Sequence, residues 1–341
     1  MILVCTVLFL LSSLCYGQSG SIKSSPAGIK KTFPVSAFAA FTVNTMLAQA
    51  HEYVLTKGHI LSDLIWPLTP SVSYTLHGGL YLPKGIHIEG NVSFMQPMQT
   101  GTMIDTDFFN IELSPPRFGM THFSEHNCKI LEGIRSTVKL GLQLPMSQSA
   151  AMQKNGITLM TEPMISLHYS KISWYAYDGY LQYGKQLSRN PDVYEEWTPY
   201  IPKTQSTGPA IAYQQQLIIP AVGIGFEADI PHKLRIFTDF HITAEVLADG
   251  EDIHYAKNKR FIDIMDGGWA LHGGVRLTWE FLPYCGLFVH FLYEHSITQE
   301  GYTLIYSLPS NILTDYSLRG TSGTSLSGGT FSAGIAFLLG R

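Results

Sequence analysis

Three stretches of this chain alternate apolar with small or polar residues at a spacing of two, and their charges stay on one face. In "LHGGVRLTWEF", Leu271, Gly273, Val275, Leu277, Trp279 and Phe281 alternate with His272, Gly274, Arg276, Thr278 and Glu280. "GLFVHFLYEH" sets Leu287, Val289, Phe291 and Tyr293 against His290 and Glu294. "FSAGIAFLLG" sets Phe331, Ala333, Ile335, Phe337 and Leu339 against Ser332, Gly334, Ala336, Leu338 and Gly340. A period of two is the geometry of a strand. A transmembrane barrel turns such a strand apolar side out and polar side in, a soluble sandwich does the reverse, and the alternation fits either. Length favours the membrane, because several runs reach about ten residues or more, the span of a tilted transmembrane strand.

Composition points the same way. Only 14% of the 341 residues are charged, against about 25% in an ordinary soluble domain. The mean hydropathy is nevertheless just +0.09. The chain is polar without being charged, and rich in Gly (31), Tyr (18) and Phe (18). A net charge of −4 gives no electrostatic footprint for nucleic acid. No uncharged apolar run reaches the roughly 20 residues a spanning helix needs. The expected fold is all-β, a transmembrane antiparallel up-and-down barrel of about ten strands, an even number. The competing class is a soluble all-β secreted domain.

The connections alternate in size. Tight turns are expected at "PKG" (83–85), "DIPHK" (229–233) and "LPYCG" (282–286). Long polar loops are expected over about 98–127, 178–207, 247–262 and 296–326. Short turns at one end and long loops at the other are the outer-membrane arrangement. "PMSQSAAMQKNG" (145–156) is longer than that pattern allows, and Pro67, Pro70 and Pro97 fall inside proposed strands, where a proline interrupts the ladder. Cys128, placed in a long loop, and Cys285, in a tight turn, would lie at opposite ends, beyond the roughly 7 Å Cα limit of a disulfide. No C-x-x-C or H-E-x-x-H spacing supports a metal site.

Two export signals compete at the N-terminus. "MILVCTVLFLLSSLCYG" is apolar with a small residue at Gly17 but lacks a basic start; "KKTFPVSAFAAFTVNTMLAQA" has Lys30 and Lys31, an apolar stretch and Ala48-Gln49-Ala50. Two acidic motifs stand out in a chain that uses so little charge. "TMIDTDF" carries Asp105 and Asp107 at i and i+2, and "LADGEDIHYAKNKRF" carries Asp252 and His254 at the same spacing. On an extended strand each pair shares a face. Paired aspartates disfavour joint ionisation, and a carboxylate beside an imidazole fixes its tautomer and raises its basicity. The bland reading of each motif is a solvated loop edge.

"MIDTDF" followed far downstream by "DIHY" and "KRF" resembles the omptin family, outer-membrane endopeptidases of Gram-negative bacteria in which a D-x-D pair faces a D-x-H dyad across the barrel mouth. "SDLIW" (62–66), "GPAIAYQQQLIIPAVGI" (208–224) and "SGGTFSAGIAFLLG" resemble further family segments in order, so the likeness covers roughly residues 37–341. It implies Asp105, Asp107, Asp252 and His254 as catalytic residues at a site facing the cell exterior. His254, oriented by Asp252, would act as general base on a water molecule; Asp105 and Asp107 would hold that water and share a proton for the leaving amine. The substrates implied are peptides or proteins cut next to basic residues, the other partner is outer-membrane lipid, and nucleic acid is not one. Glu52 and Met103 match pocket residues for a basic side chain. The family's second pocket acid aligns with Gly250, for which Asp249 or Glu251 would substitute.

Other departures concern the outer wall, where the family binds lipopolysaccharide. Only Lys171 falls where the family has an arginine, and Leu167, Tyr169 and Gln216 stand at other positions of that site. This weakens the case for lipopolysaccharide dependence, and no other cofactor is implied. His126 in "FSEHN" is read as a loop histidine. Cleavage after Ala50 would delete most of the first strand, so residues 1–17 are read as the signal, 18–36 as an N-terminal segment and 37–341 as the barrel. The chief rival function is an inactive barrel used as an adhesin or invasin, against which the four retained residues argue. A passive porin fits poorly, because a ten-stranded barrel leaves too little lumen.

Overall fold

The computed structural model describes residues 35–56, 59–113, 116–189 and 192–339. The first half of the chain forms β1 (Ser36–Thr56), β2 (His59–Pro67), β3 (Ser71–Tyr81), β4 (Ile86–Met95), β5 (Met98–Leu113), β6 (Pro116–Leu142), β7 (Leu144–Pro145) and β8 (Thr158–Tyr183). The second half forms β9 (Gln186–Arg189), β10 (Asp192–Tyr194), β11 (Thr204–Ile230), β12 (Leu234–Thr243), β13 (Leu247–His254), β14 (Lys259–Asp266), β15 (Trp269–Leu282), β16 (Cys285–Ser307), β17 (Ile312–Tyr316) and β18 (Ser322–Leu339).

The pairings close two stacked rings of ten. The lower ring runs β1, β3, β4, β6, β8, β11, β12, β15, β16, β18 and back to β1, all antiparallel. The upper ring replaces β3 and β4 with β2 and β5, and β12 and β15 with β13 and β14. The six remaining long strands run through both rings. The tiers part near the prolines flagged in the sequence: Pro67 ends β2, Pro70 precedes β3, and Pro97 separates β4 from β5. Proline brings no N–H to the ladder, so an interruption is placed there at little extra cost. Gly267 and Gly268, both at positive φ, make the matching break between β14 and β15.

The apolar faces turn outward. Val275, Leu277, Trp279 and Phe281 are exposed on β15, and Leu287, Phe291 and Tyr293 on β16, while Arg276 and Glu294 are buried inside. The lower lumen is stitched by charge pairs, Arg276 to Glu89 at 2.7 Å, Arg135 to Glu294 and Lys139 to Asp239, and by a hydrogen-bond contact of His87 Nδ1 with Glu162 at 2.7 Å. Above them lies an apolar layer that includes Trp66, Trp174, Tyr213, Ile130, Ile172, Leu217 and Leu326, all essentially without exposure. Trp66 and Tyr213 stack with ring centroids 5.3 Å apart.

The structure corrects the expected long loops. Most of 98–127 is the β5–β6 hairpin and most of 247–262 the β13–β14 hairpin, and β8, β11, β16 and β18 extend into the other two segments. Polarity there reflects water on both faces above the lipid band, and strand pairing still satisfies the backbone. Cys128 and His126 therefore lie in β6 rather than in a loop. Cys128 and Cys285 are both buried free thiols. The long turn at 145–156 holds a five-residue helix, Ala150–Lys154. Both proposed leader boundaries concern β1 or residues before it, and residues 1–34 lie outside those described.

The closing seam is β1 against β18, paired continuously from Ala37–Leu339 to Val54–Ser322. At Gly334 a side chain would collide with the backbone oxygen of Phe41 and the Cα of Thr42. Gly334→Ala is expected to force the seam apart, at the roughly 1–3 kcal/mol of an overpacked site. On unboiled gels a smaller share of the variant should migrate at the folded position; a share equal to that of the parent would contradict this account of closure.

Candidate active site

The β13–β14 hairpin carries the first half of the site. Its register pairs Asp252 with Phe261 and His254 with Lys259, and β11 pairs on its other edge, Tyr213 with Asp252. Alternation on β13 turns Gly250 and Asp252 inward. The Asp252 carboxylate meets His254 Nε2 at 2.6 Å. Asp252 is buried, and its Oδ1 has no hydrogen-bond partner among the described residues. Phe261 packs edge-on against the His254 ring, centroids 5.2 Å apart. With Nε2 bound to the carboxylate, Nδ1 is left for other chemistry.

β5 carries the second half. Asp105 pairs with Leu64 on β2 and Ser124 on β6, and Asp107 pairs with Ser62 and His122. Met103, Asp105 and Asp107 share the inward parity, and Met103 is fully buried beneath them. Ser62 Oγ donates to Asp105 Oδ1 at 3.2 Å. β5 and β13 stand four places apart in the upper ring, so the two pairs face each other over the lumen. Loss of water around Asp105, then the negative charge of Asp107, pushes its carboxyl up to about 7; His254, Lys257 and the Ser62 hydrogen bond pull the other way. Asp105 is thereby pushed toward its protonated form.

Among the pocket residues expected from sequence, Glu52 and Met103 are buried inside the upper ring. Asp249 and Glu251 are not in the lumen. The alternation that turns Asp252 inward turns both of them outward, where Glu251 accepts a hydrogen bond from Arg260 Nε at 2.7 Å. The acid nearest Gly250 is one the sequence reading missed. Asp263 on β14 lies directly opposite Gly250, is buried and accepts a hydrogen bond from Thr303 Oγ1 at 2.5 Å. Burial raises its carboxyl to about 7, against the pull of that hydrogen bond and with the help of Asp252. The signal was present: in "RFIDIMD", Phe261, Asp263 and Met265 alternate, and a four-residue turn at 255–258 sets Asp263 across from Gly250. His122 beside Asp107 was also missed; its ring packs edge-on with Phe109, Tyr183 and Tyr194. His126 is buried, its Nδ1 2.5 Å from the Asp178 carbonyl oxygen. Lys171 lies on the outer wall of β8, paired with Gln216. No group of three or more potential metal ligands occurs among the described residues.

The raised carboxyl of Asp105 has a consequence for stability. Its folded value lies above the ordinary 3.8, so the folded state binds more protons than the unfolded chain between those limits, and stability falls as pH rises through them. Asp105→Asn removes the charge that the site resists. The variant is expected to unfold at a higher temperature than the parent at about pH 8 and at nearly the same temperature at about pH 4, read as the heating midpoint of the gel shift. An equal effect at both pH values would contradict the assignment.

The family model described as "Omptin family" matches residues 34–339. The outer membrane protease OmpT from Escherichia coli is similar in structure, with a TM-score of 0.74 at 16% identity over 91% of this chain and 98% of that one. OprG from Pseudomonas aeruginosa is less similar, with a TM-score of 0.39 at 7% identity over 90% and 97% of the two chains. The translocator domain of the autotransporter NalP from Neisseria meningitidis gives 0.31 at 9% identity over 98% and 96%. No curated protein sequence matches. The family match covers both acidic pairs and the whole described barrel, and the chain belongs to the omptin family.

Proposed function

We propose that this outer-membrane barrel is an endopeptidase that cleaves peptide bonds next to basic residues at the mouth carrying the long hairpins, which faces the cell exterior. The observation that carries the reading is the His254–Asp252 pair, 2.6 Å apart, facing the Asp105–Asp107 pair, in which burial and then the Asp107 charge push the Asp105 carboxyl up. His254 Nδ1 takes a proton from a water molecule as its oxygen adds to the scissile carbonyl carbon. Asp252 stabilises the imidazolium that forms. Asp105 and Asp107 position the water and deliver their shared proton to the leaving nitrogen, so that the C–N bond breaks to a carboxylic acid and an amine. The protein forms no covalent intermediate.

The same reading places the leader boundary near Gly17. Residues Ala37–Met46 of β1 pair with both β3 and β18, and a barrel in lipid does not tolerate their loss. Lys171 is proposed as a contact for outer-membrane lipid. Beside it on the outer wall the Tyr169 hydroxyl donates to Gln216 at 3.5 Å, and Gln216 pairs in turn with the outward Asp249.

His254→Ala tests the mechanism. Detergent-folded protein and a mixed peptide library, with cleavage sites read by mass spectrometry, give the comparison. The variant should keep the folded gel position and lose roughly 10²–10⁴ in rate. Activity within about threefold of the parent would remove His254 from the mechanism, and an intact parent that cleaves nothing in the library would remove the endopeptidase reading itself.

A further inference from the structure

Beyond Asp107 the inner wall of the mouth continues into a recess that the chemistry leaves unused. Asp105 pairs with Ser124 of β6, and Ser124 with Leu181 of β8; Asp107 pairs with His122, and His122 with Tyr183. Residues paired directly across strands share a face, so Leu181 and Tyr183 face the lumen with the two aspartates. Two strand spacings, about 10 Å, separate Tyr183 from Asp107. The His122 and Tyr183 rings meet with centroids 4.5 Å apart. Burial, and then the charges of Asp105 and Asp107, push the Tyr183 phenol up.

The recess measures about 550 Å³, and its lining includes Leu181, Tyr183, Ile201, Pro202 and Thr204. That is the size of a small-ligand pocket. The chain from Glu195 to Ile201 covers it and is pinned along its length. The Glu195 N–H donates to the Lys185 carbonyl oxygen at 2.8 Å, and the Trp197 N–H to that of Met120 at 2.7 Å. The buried Gln182 Nε2 donates to the Ile201 carbonyl oxygen at 2.6 Å. A Cβ on Gly184 would lie 2.2 Å from the Glu195 carbonyl oxygen, so only a glycine admits the covering segment this close to β8. Tyr194 packs against His122 and Phe109, centroids 5.1 and 5.3 Å apart. The recess is therefore built by the fold before a ligand arrives.

Its chemistry differs from that of the acidic lumen beside it. Lys185 and Glu195 give it one charge of each sign, so it holds no net attraction for a cation. The Tyr183 side of the wall is left 46% exposed, and covering an aromatic ring with apolar surface is favourable.

We propose that this recess is a substrate subsite, which takes an apolar side chain of the peptide, an aromatic ring fitting best, two or three residues from the scissile bond. The spacing follows from the distance to Asp107, because an extended peptide advances about 3.3 Å per residue. The assignment rests on the endopeptidase reading for its meaning, but the binding does not require turnover.

The test uses full-length, detergent-folded protein carrying His254→Asn, so that peptides are bound without being consumed. Fluorescein-labelled heptapeptides of Gly and Ser with a central Arg carry a single Phe at each of the six flanking positions in turn, and affinities are read by anisotropy. On one side of the Arg, Phe at one position or two adjacent ones should tighten binding roughly 10- to 100-fold over Ser, the range for burying a phenyl ring. Uptake of Phe by detergent would be equal at all six. Tyr183→Ser, which removes the aromatic wall, should bring every position within about threefold of Ser. Thr204→Trp, which fills the recess from β11, should do the same and decides the matter if Tyr183→Ser fails to reach the folded gel position. A parent with no preferred position, or a folded variant that keeps the preference, would overturn the proposal. Cleavage of the same peptides by the unmodified protein is a separate measurement. Cleavage without positional preference removes the subsite and leaves the protease reading, and positional binding without cleavage does the reverse.

Discussion

A sheet in lipid has no water to satisfy its edges, so it closes or it does not insert. The rest of this structure depends on the seam between β1 and β18, where eighteen consecutive pairs run from Ala37–Leu339 to Val54–Ser322. The seam joins the two ends of the described chain, and everything inside the barrel is positioned by it. Glu52 lies on β1 near the top of that seam, opposite Thr324. The strand that closes the barrel therefore also supplies one acid of the mouth.

Inside, the lumen changes character with height. The lower part contains buried ion pairs such as Arg276–Glu89 and Arg135–Glu294. Such pairs are close to neutral in net stability, because desolvation offsets attraction, but losing one partner strands a buried charge. The aromatic and aliphatic layer around Trp66, Trp174 and Tyr213 caps that network. Above it acids predominate, with Glu52, Asp105, Asp107, Asp252 and Asp263 against His254, His122 and Lys257. The separation of the paired lower lumen from an acidic mouth pushes the Asp105 carboxyl up, through burial and then the Asp107 charge, and gives the mouth an attraction for cations.

Much of this was legible in the sequence. The outward and inward faces of β15 and β16 follow from a period of two, and the exposure of Val275 and Phe291 against the burial of Arg276 and Glu294 agrees residue by residue. The same rule applied to β13 separates Asp252 from Asp249 and Glu251, yet the latter two were assigned to the pocket because they neighbour Gly250 in the chain. Adjacency in sequence means opposite faces on a strand. Reading 247–262 as a loop hid that consequence. Prolines 67, 70 and 97 looked like faults in strands and proved to be the boundaries between tiers.

From its sequence alone this protein's class was determined: an even-numbered barrel with apolar faces outward, two acidic pairs at i and i+2, and glycine where an acid was expected. Those features depend on neighbours along one strand, and the alternation of side chains is local. Only the tertiary structure decided which acids meet. That Asp105 and Asp107 on β5 face Asp252 and His254 on β13, and that Asp263 on β14 fills the space before Gly250, depends on register between strands and on the curvature of a closed ring. Register is set by turns and by packing across the lumen, which no single strand encodes.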